Sequence, residues 1–191
     1  MSNNLTTILE SSHRAGRSYV DAMIRSELTD AVGSDYVSSN AADQLGHSID
    51  YYWIPEMWHD RGRDNPKAQY IVHPGSAEEV AKVLRIANNY RIPVTPWGGG
   101  SGSQGGALPM YGGIILDTKR MNKVINIDTE ALTMTVETGM NAQHMEWAVE
   151  KKGFSTMHFP ASIDYRRVPR SSWHWGALDP VRQDRRYGDV H

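Results

Sequence analysis

The chain has 191 residues, a formal net charge of −2 and 39% hydrophobic side chains, the make-up of a soluble globular protein of one to one and a half domains. So balanced a charge excludes holding nucleic acid or anionic lipid by bulk electrostatics. The lack of cysteine excludes disulfides, thiolate metal sites and cysteine nucleophiles together. The start, Met1 to Thr6, has no basic segment leading into an apolar core, and no apolar run approaches the ~20 residues of a membrane helix. A cytoplasmic protein without a membrane span is expected.

From Thr6 to Val32 the apolar residues Ile8, Leu9, Val20, Met23, Ile24, Leu28 and Val32 recur at loosely helical spacing and predict one or two helices closed by Gly33. Asp50 to Pro66 carries aromatic residues without a period and then a polar, proline-closed run, which reads as a loop. Residues 1–66 thus form a helical and irregular lead-in.

Gln69 to His73 is a short β-rich run. After the turn at Pro74-Gly75, Ser76-Ala-Glu-Glu79 forms a capping box for a helix whose inward face holds Val80, Val83, Leu84 and Ala87. Val94-Thr-Pro96 and Gly113-Ile-Ile-Leu116 supply two more strands, so an α/β layer with parallel pairing is expected. Beyond Lys123 the alternation of Val124 to Ile127 and Leu132 to Thr138 about a turn at Asp128-Thr129-Glu130 predicts an antiparallel hairpin. Asn141 caps a helix running to Lys152, with Met145, Ala148 and Val149 inward, and Gly153 closes it before a strand from Phe154 to His158.

Chemistry concentrates between two of these strands, in Trp97-Gly98-Gly99-Gly100-Ser101-Gly102-Ser103. Clustered glycines let consecutive N–H groups turn into one concavity, a nest for an anion such as a pyrophosphate, and Ser101 and Ser103 add hydroxyl donors. A Gly/Ser run in isolation reads as a flexible connector. Strands on both sides and the stiffening prolines Pro93 and Pro96 argue for an ordered loop instead. No Gly-Lys-Ser/Thr follows, which argues against a P-loop, and no convincing helix follows, which argues against a Rossmann turn. His47, His59 and His73 show no metal-ligand spacing and read as surface or satisfied core histidines. Asp117 and Glu137 read as solvated strand-end carboxylates, and Trp53, Trp58 and Trp147 as packing residues.

The succession Ile92-Pro-Val-Thr-Pro-Trp-Gly-Gly-Gly-Ser-Gly-Ser103, Gly113-Ile-Ile-Leu-Asp-Thr-Lys-Arg-Met-Asn-Lys123, Val136-Glu-Thr-Gly139 and Phe159-Pro-Ala-Ser162 resembles the FAD-binding domain of the vanillyl-alcohol-oxidase/PCMH flavoproteins. That family includes glycolate oxidase, D-lactate dehydrogenase and alkylglycerone-phosphate synthase. The resemblance runs from about Asp35 to Ser162 and implies an α+β fold: a small α/β subdomain to about Thr118, then the start of a second subdomain with antiparallel strands. It further implies FAD as cofactor, with Trp97, Gly98, Gly99, Gly100, Ser101, Gly102 and Ser103 around the pyrophosphate. Pro160 and Ser162 would lead into a second flavin-contacting stretch. Some members attach flavin through a histidine in the first loop; Ser101 and Gly102 stand there, which implies non-covalent FAD. The implied activity is flavin-dependent oxidation of a small 2-hydroxy acid or similar alcohol, with an alkylglycerone-phosphate synthase-like transferase or a non-enzymatic remnant as alternatives. Catalytic groups in such enzymes come from a cap domain, so none is assigned, and the chain alone is expected to be inactive and to hold FAD weakly or not at all.

Residues 67–162 are expected to form a partial FAD-binding domain of PCMH type; residues 163–191 depart from the resemblance. Read one base later, the two tryptophan codons at Trp173 and Trp175 must both give glycine. Ile163 to Arg167 can then spell S-T-I-G-G, and Trp173 to Asp184 can spell G-I-G-A-L-S-T-R-Y-G-K-I, the family's continuation. The segment is expected to be an out-of-frame tail with no periodicity of its own.

Overall fold

The computed structural model describes residues 19–160, 162–164 and 179–180. Helix α1, residues 19–32, lies within the first predicted helical stretch; the part of that prediction before residue 19 lies outside the described residues. Gly33, at φ 95°, ends it by donating its N–H to Thr29 O at 2.7 Å. A 3-10 turn (Ser34–Tyr36) leads to β1 (Val37–Ser38), followed by α2 (Ala41–Gly46), α3 (Trp53–Asp60), β2 (Tyr70–Val72), α4 (Ala77–Tyr90), β3 (Val94–Trp97) and β4 (Ile114–Asp117). The second part contains β5 (Val124–Asp128), β6 (Thr133–Val136), α5 (Ala142–Glu150), β7 (Phe154–Ser155) and β8 (Asp179–Pro180).

The first four strands make one sheet in the order β1-β2-β4-β3. β4 lies parallel to both β2 and β3, and β1 joins the β2 edge antiparallel, as the expected α/β layer requires. Runs such as Tyr70-Ile-Val72 and Ile114-Ile-Leu116 are apolar throughout because both faces of this sheet are covered. On one face Tyr70, Val72, Ile114 and Leu116 pack with Ile24, Leu28 and Val32 of α1 and Val83 and Ala87 of α4. On the other, Ile71, Ile115 and Trp97 pack with Ala68 and with Ala107 from the long β3–β4 connection.

Ser76 caps α4 by accepting the Glu79 N–H at 3.3 Å, while the Glu79 carboxylate takes the Gly75 N–H at 2.7 Å. Leu84, expected inward, is 45% exposed: the buried stripe centres on Val83 and Ala87, and Leu84 falls at its edge. The Asp50 to Pro66 segment, expected as a loop, contains α3. Pro55 stands in its first turn, where the missing N–H has no helical partner to lose.

The hairpin expected beyond Lys123 is present as β5 and β6, antiparallel with Ile127 opposite Met134. It is tied to the segment that follows β4 by Gly139, whose N–H donates to Met121 O at 2.7 Å. A Cβ on Gly139 would lie 1.7 Å from Thr118 O, so only glycine allows this approach. Asn141 caps α5 by accepting from Gln143 N and His144 N. The buried side of α5 is Ala142, Glu146 and Val149, with Met145 and Ala148 half-buried. Glu146, 1% exposed, accepts from Ser155 Oγ at 2.5 Å, Thr156 N at 2.9 Å and Thr156 Oγ1; these bonds satisfy a carboxylate that burial alone would penalise. β8 pairs antiparallel with β7, and the rest of the predicted out-of-frame tail, residues 165–178 and 181–191, lies outside the described residues. No described helix is long and apolar enough to cross a membrane.

Candidate functional site at the carboxyl edge of the parallel sheet

Because β2, β4 and β3 are parallel, their carboxyl ends lie along one edge, the usual position for ligands in such sheets. Register places Leu116 between Val72 and Pro96, and Asp117 beside Trp97. His73, Gly98 and Thr118 therefore start from the same edge. The β3–β4 connection leaves it without a helix and folds back over the sheet, burying Ala107 and Leu108.

The first part of this connection is the glycine loop. It is anchored by Tyr51 N donating to Gly100 O at 2.9 Å, and its far end by Leu108 N to Gly105 O at 3.1 Å and Gly112 N to Pro109 O at 2.9 Å. Gly100 sits at φ 66°, and a Cβ there would lie 2.7 Å from Trp97 Cζ2. Among the described residues, no peptide N–H from Gly98 to Ser103 donates a hydrogen bond, nor does either hydroxyl of Ser101 and Ser103. Donors without acceptors, half-buried from Gly99 to Gly102 and on backbone already held in place, fit an anion with several oxygens.

Trp97 plays a different part from the rest of the loop. Its ring is 6% exposed and plugs the sheet beneath the loop, and its carbonyl accepts the Thr118 N–H at 3.2 Å. Pro160 and Ser162 lie by the start of α5. Ile163 N donates to Pro160 O at 3.0 Å, Gln143 N donates to Ile163 O at 3.1 Å, and Asn141 Nδ2 donates to Asp164 O, which sets the segment against the start of α5. No hydrogen bond joins it to the glycine loop among the described residues.

Beside the loop the structure assembles a charged cluster for which the sequence offers no spacing. Asp117 is fully buried rather than solvated. Its Oδ2 lies 2.8 Å from Lys119 Nζ, 3.1 Å from His47 Nε2 and 3.6 Å from His73 Nδ1, and its Oδ1 accepts the Lys119 N–H at 3.0 Å. Burial pulls the Asp117 carboxyl upward, but the hydrogen bonds from His47 and Lys119 and the Lys119 charge outweigh it and hold the group below the usual carboxylate range. Burial holds His73 below the usual imidazole range against the pull of Asp117. His73 is accordingly a neutral neighbour, and 3.6 Å is too long for a hydrogen bond. No group of three or more metal-binding side chains exists among the described residues.

His47 binds on both sides. Nδ1 lies 2.8 Å from Asp43 O and Nε2 3.1 Å from Asp117 Oδ2, and its ring centroid is 4.8 Å from that of Trp97. Arg120 completes the edge, donating to His73 O at 2.7 Å while its guanidinium lies 3.3 Å from the Tyr36 ring centroid. Of the other residues read from sequence, Glu137 accepts the Lys123 N–H at 2.9 Å within its own hairpin. Trp53 and Trp147 are 63% and 51% exposed, not packed as expected.

A parallel sheet whose carboxyl edge holds a glycine-lined, donor-rich loop, followed by an antiparallel hairpin and helix, defines a nucleotide-cofactor domain. Residues 68–168 match the family described as the FAD binding domain, and the chain belongs to that family. It is 37% identical over 144 residues to glycolate oxidase subunit GlcD of Bacillus subtilis (strain 168), covering 73% of this chain and 28% of that protein. It is 30% identical over 123 residues to alkyldihydroxyacetonephosphate synthase of Dictyostelium discoideum, covering 63% of this chain and 20% of that protein. A solved structure of alkyldihydroxyacetonephosphate synthase superposes with a TM-score of 0.70 at 25% identity, over 77% of this chain and 28% of that one. The chain thus spans less than a third of the length of these relatives. The α+β architecture with its PCMH-type FAD-binding fold stands as expected from the sequence.

Proposed function

We propose that Gly98 to Ser103 grip the diphosphate of a non-covalently bound FAD, and that the protein to which this domain belongs oxidises a small 2-hydroxy acid. The observation that carries the first part is the run of N–H groups without acceptors at the carboxyl edge. The donor set suits a diphosphate: neutral N–H groups, the Ser101 and Ser103 hydroxyls, and the Lys119 ammonium, half exposed, nearby. Trp97 supports the loop from below, while Pro160 and Ser162 are assigned to a second flavin-facing stretch. FAD, when bound, would supply the hydride acceptor for alcohol oxidation. The substrate class leans on the glycolate oxidase subunit, at 37% identity against 30% for the synthase. The structural match to the synthase favours an alkyl-transferase as the second reading, and a non-enzymatic remnant is the third. A cysteine-free chain suits a reducing cytoplasm.

The test is a titration of the whole chain with FAD, followed by flavin fluorescence and repeated with Gly100→Val. Saturable binding that the variant loses supports the cradle; equal binding by both, or none by either, overturns it. Residues after Ser162 are proposed to be an out-of-frame readout, and the chain to be inactive without a cap domain. The nucleotide sequence decides the first point: S-T-I-G-G and S-T-R-Y-G-K-I in the frame one base later support it, and stops or unrelated residues there refute it.

A further inference from the structure

His47 is the member of the Asp117 cluster with no alternative way to satisfy its hydrogen bonds. Both ring nitrogens face oxygens that only accept, the Asp43 carbonyl and the Asp117 carboxylate. A neutral imidazole carries one N–H and satisfies one of them; an imidazolium satisfies both. The groups facing it are Asp43 from α2, His73 after β2, Asp117 and Lys119 after β4, and the Trp97 ring from β3. Lys119 offsets the charge of Asp117, and His73 is neutral. With the Asp43 carboxylate counted, the state of His47 therefore decides whether this cluster carries one negative charge in excess or is neutral. A cation against the Trp97 ring is also attracted by its π-face, and that same ring lies under Gly100.

We propose that His47 is a positioning residue of the glycine loop: an imidazolium clamped between Asp43 O and Asp117, bracing the Trp97 ring and supplying a positive charge that favours a diphosphate there. This rests on the diphosphate reading of the loop and adds a protonation requirement to it. Loss of the proton breaks one of two hydrogen bonds, removes the cation from the Trp97 ring and leaves the cluster with one negative charge in excess. Each change weakens the hold on an anion, so diphosphate binding falls as pH rises across neutrality.

The test has two arms, both on the whole chain. Side-chain nitrogen NMR of the histidines, assigned with His47→Gln, reads the protonation state without any ligand; two protonated nitrogens on His47 at neutral pH are expected, and a neutral ring overturns the proposal. FAD titrations across neutrality, where the diphosphate charge is constant, are then compared for the wild type, His47→Gln and His47→Arg. The wild type should lose affinity as pH rises. His47→Gln should bind about tenfold more weakly, as for one lost charge-assisted contact, with a flat profile. His47→Arg should recover part of that affinity with an equally flat profile. A His47→Gln profile parallel to the wild type overturns the proposal even if binding is weaker, since a purely structural residue would lower affinity without removing the pH dependence. A protonated His47 in a chain that binds FAD at no pH instead overturns the diphosphate reading, and the anion role with it. Should His47→Gln fail to fold, the wild-type NMR and the His47→Arg profile still decide.

Discussion

Asp117 bears the heaviest electrostatic load of any described residue, with Lys119, His47 and His73 converging on one buried oxygen. Removing its charge by Asp117→Asn should cost ~2 kcal/mol, the scale of hydrogen bonds to charged groups, read as a lower urea midpoint. The pH dependence follows from the two shifted groups. Asp117 titrates lower folded than unfolded, so the unfolded chain binds the extra proton; the resulting stability is complete above the ordinary carboxylate range and is lost as pH falls through the folded value. His73 is also lowered, so its contribution is complete above about pH 6.5, the unperturbed imidazole value, and declines below it. Both slopes have the same sign. Unfolding free energy should therefore drop on acidification in two stages, with His73→Phe flattening the upper one and Asp117→Asn the lower; a wild-type profile level from neutral to acid pH would refute this. Gly139→Ala makes a different point at the same scale. Its Cβ would meet Thr118 O, a backbone atom that cannot rotate away, so a loss of about 3 kcal/mol or more is expected in thermal unfolding.

Among the elements, the start of α4 was legible because it is written locally: Ser76 and Glu79 stand at capping distance, and replacing Ser76 by Ala should cost about 1 kcal/mol, measurable by urea unfolding. α3 was not legible, because a proline three residues into a helix and one that breaks it look alike without knowing where the helix starts. Helix α1 contributes Leu28, which is fully buried against the sheet, and Leu28→Ala should lose about 2–5 kcal/mol. The hairpin of β5 and β6 has the opposite character, with Val124 and Ile125 38% and 64% exposed. The alternation of apolar and polar residues that predicted it marks one face as meant for burial. Ile125→Lys should therefore leave the unfolding midpoint within about 0.5 kcal/mol while reducing self-association in light scattering.

Across the whole molecule, what the sequence determined by itself was whatever short-range physics encodes. Helix caps, the period-two hairpin and the glycine run between strands all depend on residues a few positions apart, and they were enough to place these elements and the loop, while the flavoprotein class came from the family resemblance of the ordered motifs. Tertiary structure alone decided the Asp117 cluster. His47 reaches Asp117 across 70 positions because α2 is held over the sheet edge, and His73 and Asp117 become neighbours only because β4 inserts between β2 and β3. Strand order and the packing of a helix across it arise from burying distant apolar faces together, and no local spacing carries that information.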